Sequence, residues 1–151
     1  MSLSIDAVLS NLKDKLPKDE IFAENIKAEF QRLNDSKKQK AISQIPMLDL
    51  KNPAFVFWVG NVMFGAFGVA RFMIGDKKLG IYRLLFLGVY IIFAIMAATA
   101  LTLGSYNLAD IIHVITASLI IVAYVWWIVD LFLVGKKLRQ KNYEKIMQIL
   151  K

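Results

Sequence analysis

LGIYRLLFLGVYIIFAIMAATALTL (79–103) and IIHVITASLIIVAYVWWIVDLFLV (111–134) are the two stretches of sequence that decide the fold. A helix needs about 20 predominantly apolar residues to cross the hydrocarbon core of a bilayer. The two stretches have 25 and 24 residues, so each is long enough to cross as a helix. Residues 104–110 between them carry no Lys or Arg and are expected to form a short loop. The sequence therefore predicts an integral membrane protein.

A third apolar segment, AFVFWVGNVMFGAFGVARFMI, covers residues 54–74. Its uncharged part has 17 residues, which is at the short end for a spanning helix. Gly60, Gly65 and Gly68 permit either close packing of a spanning helix or a re-entrant turn, and we favour packing. The predicted fold class is all-α integral membrane, with about three transmembrane helices, of which the first has a re-entrant alternative, and a short N-terminal helical arm.

The arm covers residues 1–51, and a basic tail covers residues 136–151, on either side of a transmembrane domain at 52–135. Apolar residues at helical spacing predict helices near 4–16 and 18–34, and a third short helix precedes Pro46. The arm carries nine basic and eight acidic residues, which is unlike a basic membrane-binding helix. We favour packing of the arm on itself or in oligomer contacts over docking to a partner. The tail is predicted to be helical.

The composition excludes several classes of function. The chain has no cysteine and one histidine, so thiolate and multi-histidine metal sites are excluded. No catalytic or nucleotide-binding motif is found, and we expect neither an enzyme nor a cofactor or metal. The net charge of +7 is concentrated in the tail, directly after an apolar segment, where membrane proteins carry Lys and Arg. We therefore expect no nucleic-acid partner.

The distribution of Lys and Arg sets the expected topology. Thirteen of these residues lie between Lys37 and Lys145. If all three segments span, nine of the thirteen lie on the side of the tail and four, those of the arm, lie on the other side. The positive-inside rule then places the arm outside the cell. The chain lacks a signal peptide pattern at its start, so export of a charged arm conflicts with the sequence, whereas a re-entrant first segment would keep the arm inside. Arg83, near the start of the second segment, is expected to snorkel to the interface.

Three short strings carry a family resemblance: GAFGVARFMIGDKKLG (65–80), VWWIVDLFLV (125–134) and KLRQKNYEKI (137–146). Together they resemble the TM-two domain family, whose two membrane helices are joined by a turn bearing an Arg-Phe motif. The residues that match its pattern are Gly65, Gly68, Arg71, Phe72, Gly75, Leu79, Gly80, Trp126, Trp127 and Asp130. The resemblance implies membrane insertion and no well-defined common activity.

The chain departs from that family at three points. Ala70 stands where the family usually has Asp or His, and Met73 replaces the usual Tyr. The stretch between Gly80 and Trp126 is much longer than in the family and reads as two spans in place of one. A function that depends on the acid before the Arg is therefore in doubt for this chain.

Arg71 and Asp130 form the most informative pair, because charges within a membrane are costly and are usually paired. We interpret them as a structural ion pair between two helices, with a proton or ion relay as the alternative. Polar side chains in the apolar segments would hydrogen-bond between helices or line a pore in an oligomer. They are those of Asn61, Thr99, Thr102, Thr116 and Ser118. The candidate site residues are Arg71, Phe72, Gly65, Gly68, Gly75, Trp126, Trp127 and Asp130. We interpret the two tryptophans as interfacial aromatics.

Two functional hypotheses follow. The first is a small non-enzymatic scaffold or regulator that acts through oligomerisation and its helical arm, with a protein partner bound through residues 1–45. The alternative is a homo-oligomeric ion channel or membrane-permeabilising effector, since three spans are too few to enclose a pore in one chain. Both predict a multi-pass protein of a cell membrane, such as a bacterial inner membrane, with the lipid bilayer and further copies of the chain as partners.

Overall fold

The computed structural model describes residues 4–151, and these residues form helices and no strands. The first three residues of the predicted arm lie outside the described residues. The helices are α1 (Ile5–Leu12), α2 (Glu20–Arg32), α3 (Asp35–Gln44), α4 (Pro53–Met63), α5 (Val69–Met73), α6 (Lys77–Thr102) and α7 (Tyr106–Leu150). The chain divides into two compact units: unit 1 combines the N-terminal part through Phe55 with residues from Gly135 onward, and unit 2 is Val56–Val134.

Unit 1 is held together by a core that the N-terminal helices share with the last part of α7. The side chains of the core are those of Val8, Leu9, Leu12, Leu16, Ile26, Phe30, Ala41, Ile45, Leu50, Ile146 and Leu150. Caps define where two of the helices start: the Ser4 hydroxyl accepts from the Ala7 amide, and the Asn34 side chain accepts from the Lys37 amide at 2.9 Å. The arm thus packs on itself, and also on the tail.

Polar bonds between arm and tail reinforce this core. The buried Asn142 side chain donates to the backbone carbonyls of Lys15, at 2.9 Å, and Lys51, at 3.0 Å. The rings of Phe22 and Tyr143 meet edge to face with centroids 4.9 Å apart. Two segments at opposite parts of the sequence therefore build one folded unit.

The segment 54–74, expected to be a single helix, is broken in the structure. Pro53–Met63 begins as an α-turn and continues as a π-helix over Val56–Met63. A 3₁₀ turn follows, then Gly68 in the left-handed conformation with φ 67°, and α5 returns along the π-helix. At Gly60 an added Cβ would lie 2.7 Å from the Ala70 Cα, so the two arms of this hairpin touch backbone to backbone. The glycines thus serve both close packing and a reversal of the chain.

The other two expected spans are present as helices. α6 and α7 are each long and apolar enough to cross a membrane, and α7 continues without a break into the tail. The 3-residue connection between them has Gly104 at φ 72°. The end of α6 packs on the start of α7 through Ala97, Ala100, Ala109 and Ile112. Only 11% of the positions in the most apolar stretch of each helix are buried.

Four Thr and Ser hydroxyls of α6 and α7 donate within their own helix and not to a neighbouring one. This differs from the interpretation that they bond between helices. Each donates to a backbone carbonyl of its own helix, three or four residues earlier: Thr99 to Ile95, Thr102 to Thr99, Thr116 to Ile112 and Ser118 to Val114. Such local bonds satisfy a hydroxyl within an apolar surface without requiring a neighbouring helix.

Candidate functional site

Asp130 on α7 is the centre of a buried ion-pair network in unit 2. Asp130 is buried, with 1% of its surface exposed. Oδ1 accepts from the Arg71 guanidinium, through Nη2 and through Nε at 3.2 Å. Oδ2 accepts from Arg83 Nη1 at 2.5 Å. One carboxylate thus joins two arginines from different parts of the sequence, and the structure brings together the Arg71 and Asp130 that the sequence paired.

Arg71 reaches Asp130 because of the glycines on either side of it. α5 starts from the left-handed Gly68, and the turn after α5 has Gly75 at φ 76°, a region that side chains rarely adopt. That turn places Asp76 beside Arg71, with Arg71 Nη1 donating to Asp76 Oδ2 at 3.0 Å. Arg71 therefore has two acidic partners. The sequence reasoning missed Asp76.

Arg83 does not snorkel as expected, but is directed inward and is 6% exposed. Its guanidinium lies over the Trp126 ring, 5.4 Å from the centroid, which is a cation–π distance. Its stem lies against Gly68, where an added Cβ would be 3.1 Å from the Arg83 Cβ. Arg83 is directed inward because the Asp130 carboxylate offers it an acidic partner there. If Arg83 pointed outward, Asp130 would keep only Arg71 as a partner.

Trp127 and Asn61 link the hairpin to α7. The indole N–H of Trp127 donates to the Asn61 carbonyl at 2.8 Å, and the Asn61 side chain donates to the Asp130 carbonyl at 3.2 Å. Asn61 lies in the π-helix, a rare geometry that often occurs at functional positions. Both tryptophans thus have partners within unit 2, Trp126 through its ring face and Trp127 through its N–H, and their interfacial position stays a prediction.

The remaining candidate residues pack around this network. At Gly65 an added Cβ would lie 2.6 Å from the Trp127 ring, and at Gly80 it would lie 2.7 Å from the Phe72 ring. All eight candidate residues of the sequence analysis thus lie in unit 2, in or next to the network. Sequence reasoning did not find Asp76 or the inward Arg83, whereas the expected bond of Asn61 between helices is present. A usable signal for Arg83 was the presence of two arginines against one aspartate in the apolar segments.

The chemistry of the network favours a structural role over a relay. Two guanidiniums and two carboxylates face one another, so the formal charge of the four groups balances. Both oxygens of the Asp130 carboxylate already accept hydrogen bonds from the two arginines. Among residues 4–151, no group of three or more His, Asp or Glu could hold a metal ion.

Beside the network lies a cavity of about 450 Å³. It is bounded by Gly65 and Ala66 of the hairpin turn, by one face of α6 and by one face of α7. Trp126, Trp127 and Arg83 contribute to both the network and the cavity wall. The site thus consists of a neutral ion-pair network and an adjoining, largely apolar cavity.

No protein family model, no curated protein and no solved structure matches this chain. The resemblance to the TM-two domain family stays a prediction carried by the motif residues.

Proposed function

We propose that this chain is an integral membrane protein that acts as a small non-enzymatic scaffold or regulator. The observation that carries the membrane proposal is the exposure of α6 and α7. A helix in the core of a soluble protein would bury its apolar residues, yet 11% of the positions in the most apolar stretch of each helix are buried. Exposed apolar surface of this extent is stable only in lipid or against further protein.

The proposed topology has two crossings, α6 and α7, and a re-entrant hairpin. Pro53–Met63 has 11 residues, so it extends about 16 Å, roughly half of the hydrocarbon core. The chain then reverses at Gly68 and returns through α5. Large apolar side chains of the hairpin, among them Trp58 and Phe67, are exposed as lipid contact would require.

The core of unit 1 supports the same topology. The arm shares its core with the tail, so both lie on the side of the membrane where α7 ends. All 19 Lys and Arg residues precede Leu84 or follow Gly135, whereas the loop between α6 and α7 has none. The positive-inside rule then places arm and tail together in the cytoplasm. This arrangement requires no export of the arm and replaces the three crossings that we favoured from the sequence.

The scaffold role follows from the way unit 1 is attached. Its last helical segment is the continuation of α7, so a folded, charged helical unit is held at the membrane surface. The surface of residues 4–45 then offers charged helices to a protein partner, and the exposed apolar faces of α6 and α7 suit contacts with further copies of the chain. A channel draws less support, because the hydroxyls of α6 and α7 are satisfied within their own helices.

The absence of native cysteine allows a sharp test of the topology. Single cysteines are introduced at three exposed serines or glutamines: Ser36→Cys in the arm, Ser105→Cys in the loop and Gln148→Cys in the tail. A membrane-impermeant maleimide on intact cells should label only Ser105→Cys, and the other two should react after permeabilisation. The cysteine-free parent is the control for background. Labelling of the arm and the tail from opposite sides would overturn the two-crossing topology.

The functional alternatives separate in liposomes. The mass of the protein in lipid nanodiscs gives its copy number, and ion flux through liposomes that contain the same protein reports a pore. A scaffold predicts no flux above protein-free liposomes at any copy number. Flux that scales with a closed oligomer would replace the scaffold with a channel.

A further inference from the structure

The cavity beside the network is shaped like a slot along α6 and α7. On α6 its wall is formed by Arg83, Phe86, Leu87 and Tyr90, which follow the i, i+3, i+4, i+7 pattern of one helix face. Tyr90 is seven residues beyond Arg83, so the slot extends about 10 Å along the helix axis. Its one charged wall residue, Arg83, therefore lies at one end, and its other end is apolar.

The slot opens onto the apolar surface of unit 2. Three residues of its rim, Met63, Ile120 and Tyr124, are at least half exposed. A ligand would thus enter from the side that faces lipid in the proposed topology. The volume of about 450 Å³ is that of a small-molecule site and is too small for an additional helix.

The charges of the network balance in total, but Arg83 is the one of its four charged groups that lines the slot. Arg71 has two acidic partners, Asp76 and Asp130. Among the described residues, Arg83 has Asp130 as its one acidic partner, and it shares this carboxylate with Arg71. A guanidinium has five N–H donors, and Arg83 uses only Nη1 toward Asp130. The end of the slot therefore favours an anion.

We propose that this slot binds an anionic phospholipid, with the phosphate at Arg83 and one acyl chain along Phe86, Leu87 and Tyr90. The inference rests on the proposed membrane location. Arg83 is six residues, or about 9 Å, from the start of α6 at Lys77, so in the proposed topology the charged end of the slot lies near the cytoplasmic end of α6. The lipid binds from the cytoplasmic leaflet, and arginine supplies the paired donors that phosphate oxygens accept.

The test uses the tryptophans at the slot as reporters. The full chain carries Trp58→Phe, which leaves Trp126 and Trp127 as the fluorophores, and is reconstituted in phosphatidylcholine vesicles. Phosphatidylglycerol with brominated acyl chains is compared with brominated phosphatidylcholine at equal mole fraction. We expect about a tenfold higher apparent association for the anionic lipid, because the choline of phosphatidylcholine cancels the charge of its phosphate and phosphatidylglycerol has no such cation. An excess of inorganic phosphate should leave this ratio unchanged.

Two variants test the two halves of the site. Arg83→Gln should reduce the preference to near unity, whereas Arg83→Lys should retain part of it. Ala123→Phe fills the slot from α7 and should remove most of the quenching by either lipid. Ala117→Phe, an exposed alanine on the same helix outside the slot, is the matched control and should behave as the parent does.

Equal quenching by both lipids in the parent, or identical behaviour of the two alanine variants, would overturn the lipid site. Loss of the preference on addition of phosphate would show a site for free phosphate in place of a lipid. Alkaline extraction of cell membranes distinguishes these results from failure of the membrane proposal. If the chain is extracted, the membrane location fails; if it stays in the membrane without a lipid preference, only the slot proposal fails.

Discussion

Replacement of Asp130 by asparagine removes the one carboxylate that Arg71 and Arg83 share, with almost no change of side-chain volume. Arg71 keeps Asp76 at 3.0 Å. Arg83, which is 6% exposed, keeps only the Trp126 ring. The variant thus leaves one buried guanidinium without an acidic partner.

Removal of one partner of a buried ion pair costs about 3–5 kcal/mol, because the remaining charge stays desolvated. For a domain of this size, 1 kcal/mol shifts the melting temperature by roughly 2–4 °C. We therefore expect Asp130→Asn to melt roughly 10 °C below the parent. Replacement of a pair by apolar residues of similar size costs much less. The double variant Arg83→Met with Asp130→Leu should therefore recover most of the loss, since Arg71 retains Asp76.

Thermal unfolding in detergent, followed by the fluorescence of Trp126 and Trp127, measures this directly. Asp110→Asn is the matched control, because Asp110 lies on the same helix and is exposed. The reasoning fails if Asp130→Asn melts within about 2 °C of the parent. It also fails if the apolar double variant is as unstable as Asp130→Asn, because the cost would then not come from an isolated charge.

Two further predictions concern packing. Gly65→Ala should destabilise unit 2 by about 1–3 kcal/mol, since the new Cβ would lie 2.6 Å from the Trp127 ring. Gly88→Ala, with nothing within 4 Å of the new Cβ, is the control and should be neutral or slightly stabilising in the same melting assay. Equal effects of the two substitutions would contradict the contact between Gly65 and Trp127. Asn142→Ala should remove two hydrogen bonds between arm and tail and raise the rate of proteolysis in the arm several-fold. An unchanged rate relative to the exposed control Gln148→Ala would show that this side chain does not join arm and tail.

The helical fold class and the positions of the two long helices could be predicted from the sequence, because length and apolar composition determine both. The pairing of Arg71 with Asp130 could also be predicted, since an isolated charge in an apolar segment requires a partner. The direction of Arg83 could not be predicted, because a helix that is apolar on all sides gives no sign of which face is inward. The partner of a charge in such a helix is known only once the packing is known.

The break in the apolar segment 54–74 and the shared core of unit 1 could not be predicted from the sequence for a different reason. Both depend on contacts between residues far apart in the chain, such as Phe22 with Tyr143, which periodicity does not report. Two indirect signs existed. Three crossings would have required export of an arm with seventeen charged residues, and Ile146 and Leu150 give the basic tail an apolar face that needs a partner.

The shared core of unit 1 also sets the order in which the protein can assemble. The arm emerges first from the ribosome, but Ile146 and Leu150 complete its core. About 100 residues separate the two, which at roughly 5–20 residues per second is about 5–20 s of synthesis. During that time the apolar side chains of the arm lack part of their core while α6 and α7 are synthesised. Closure of unit 1 is therefore a late event, and a chain that stops before residue 146 would carry an unfinished core that chaperones and proteases can recognise.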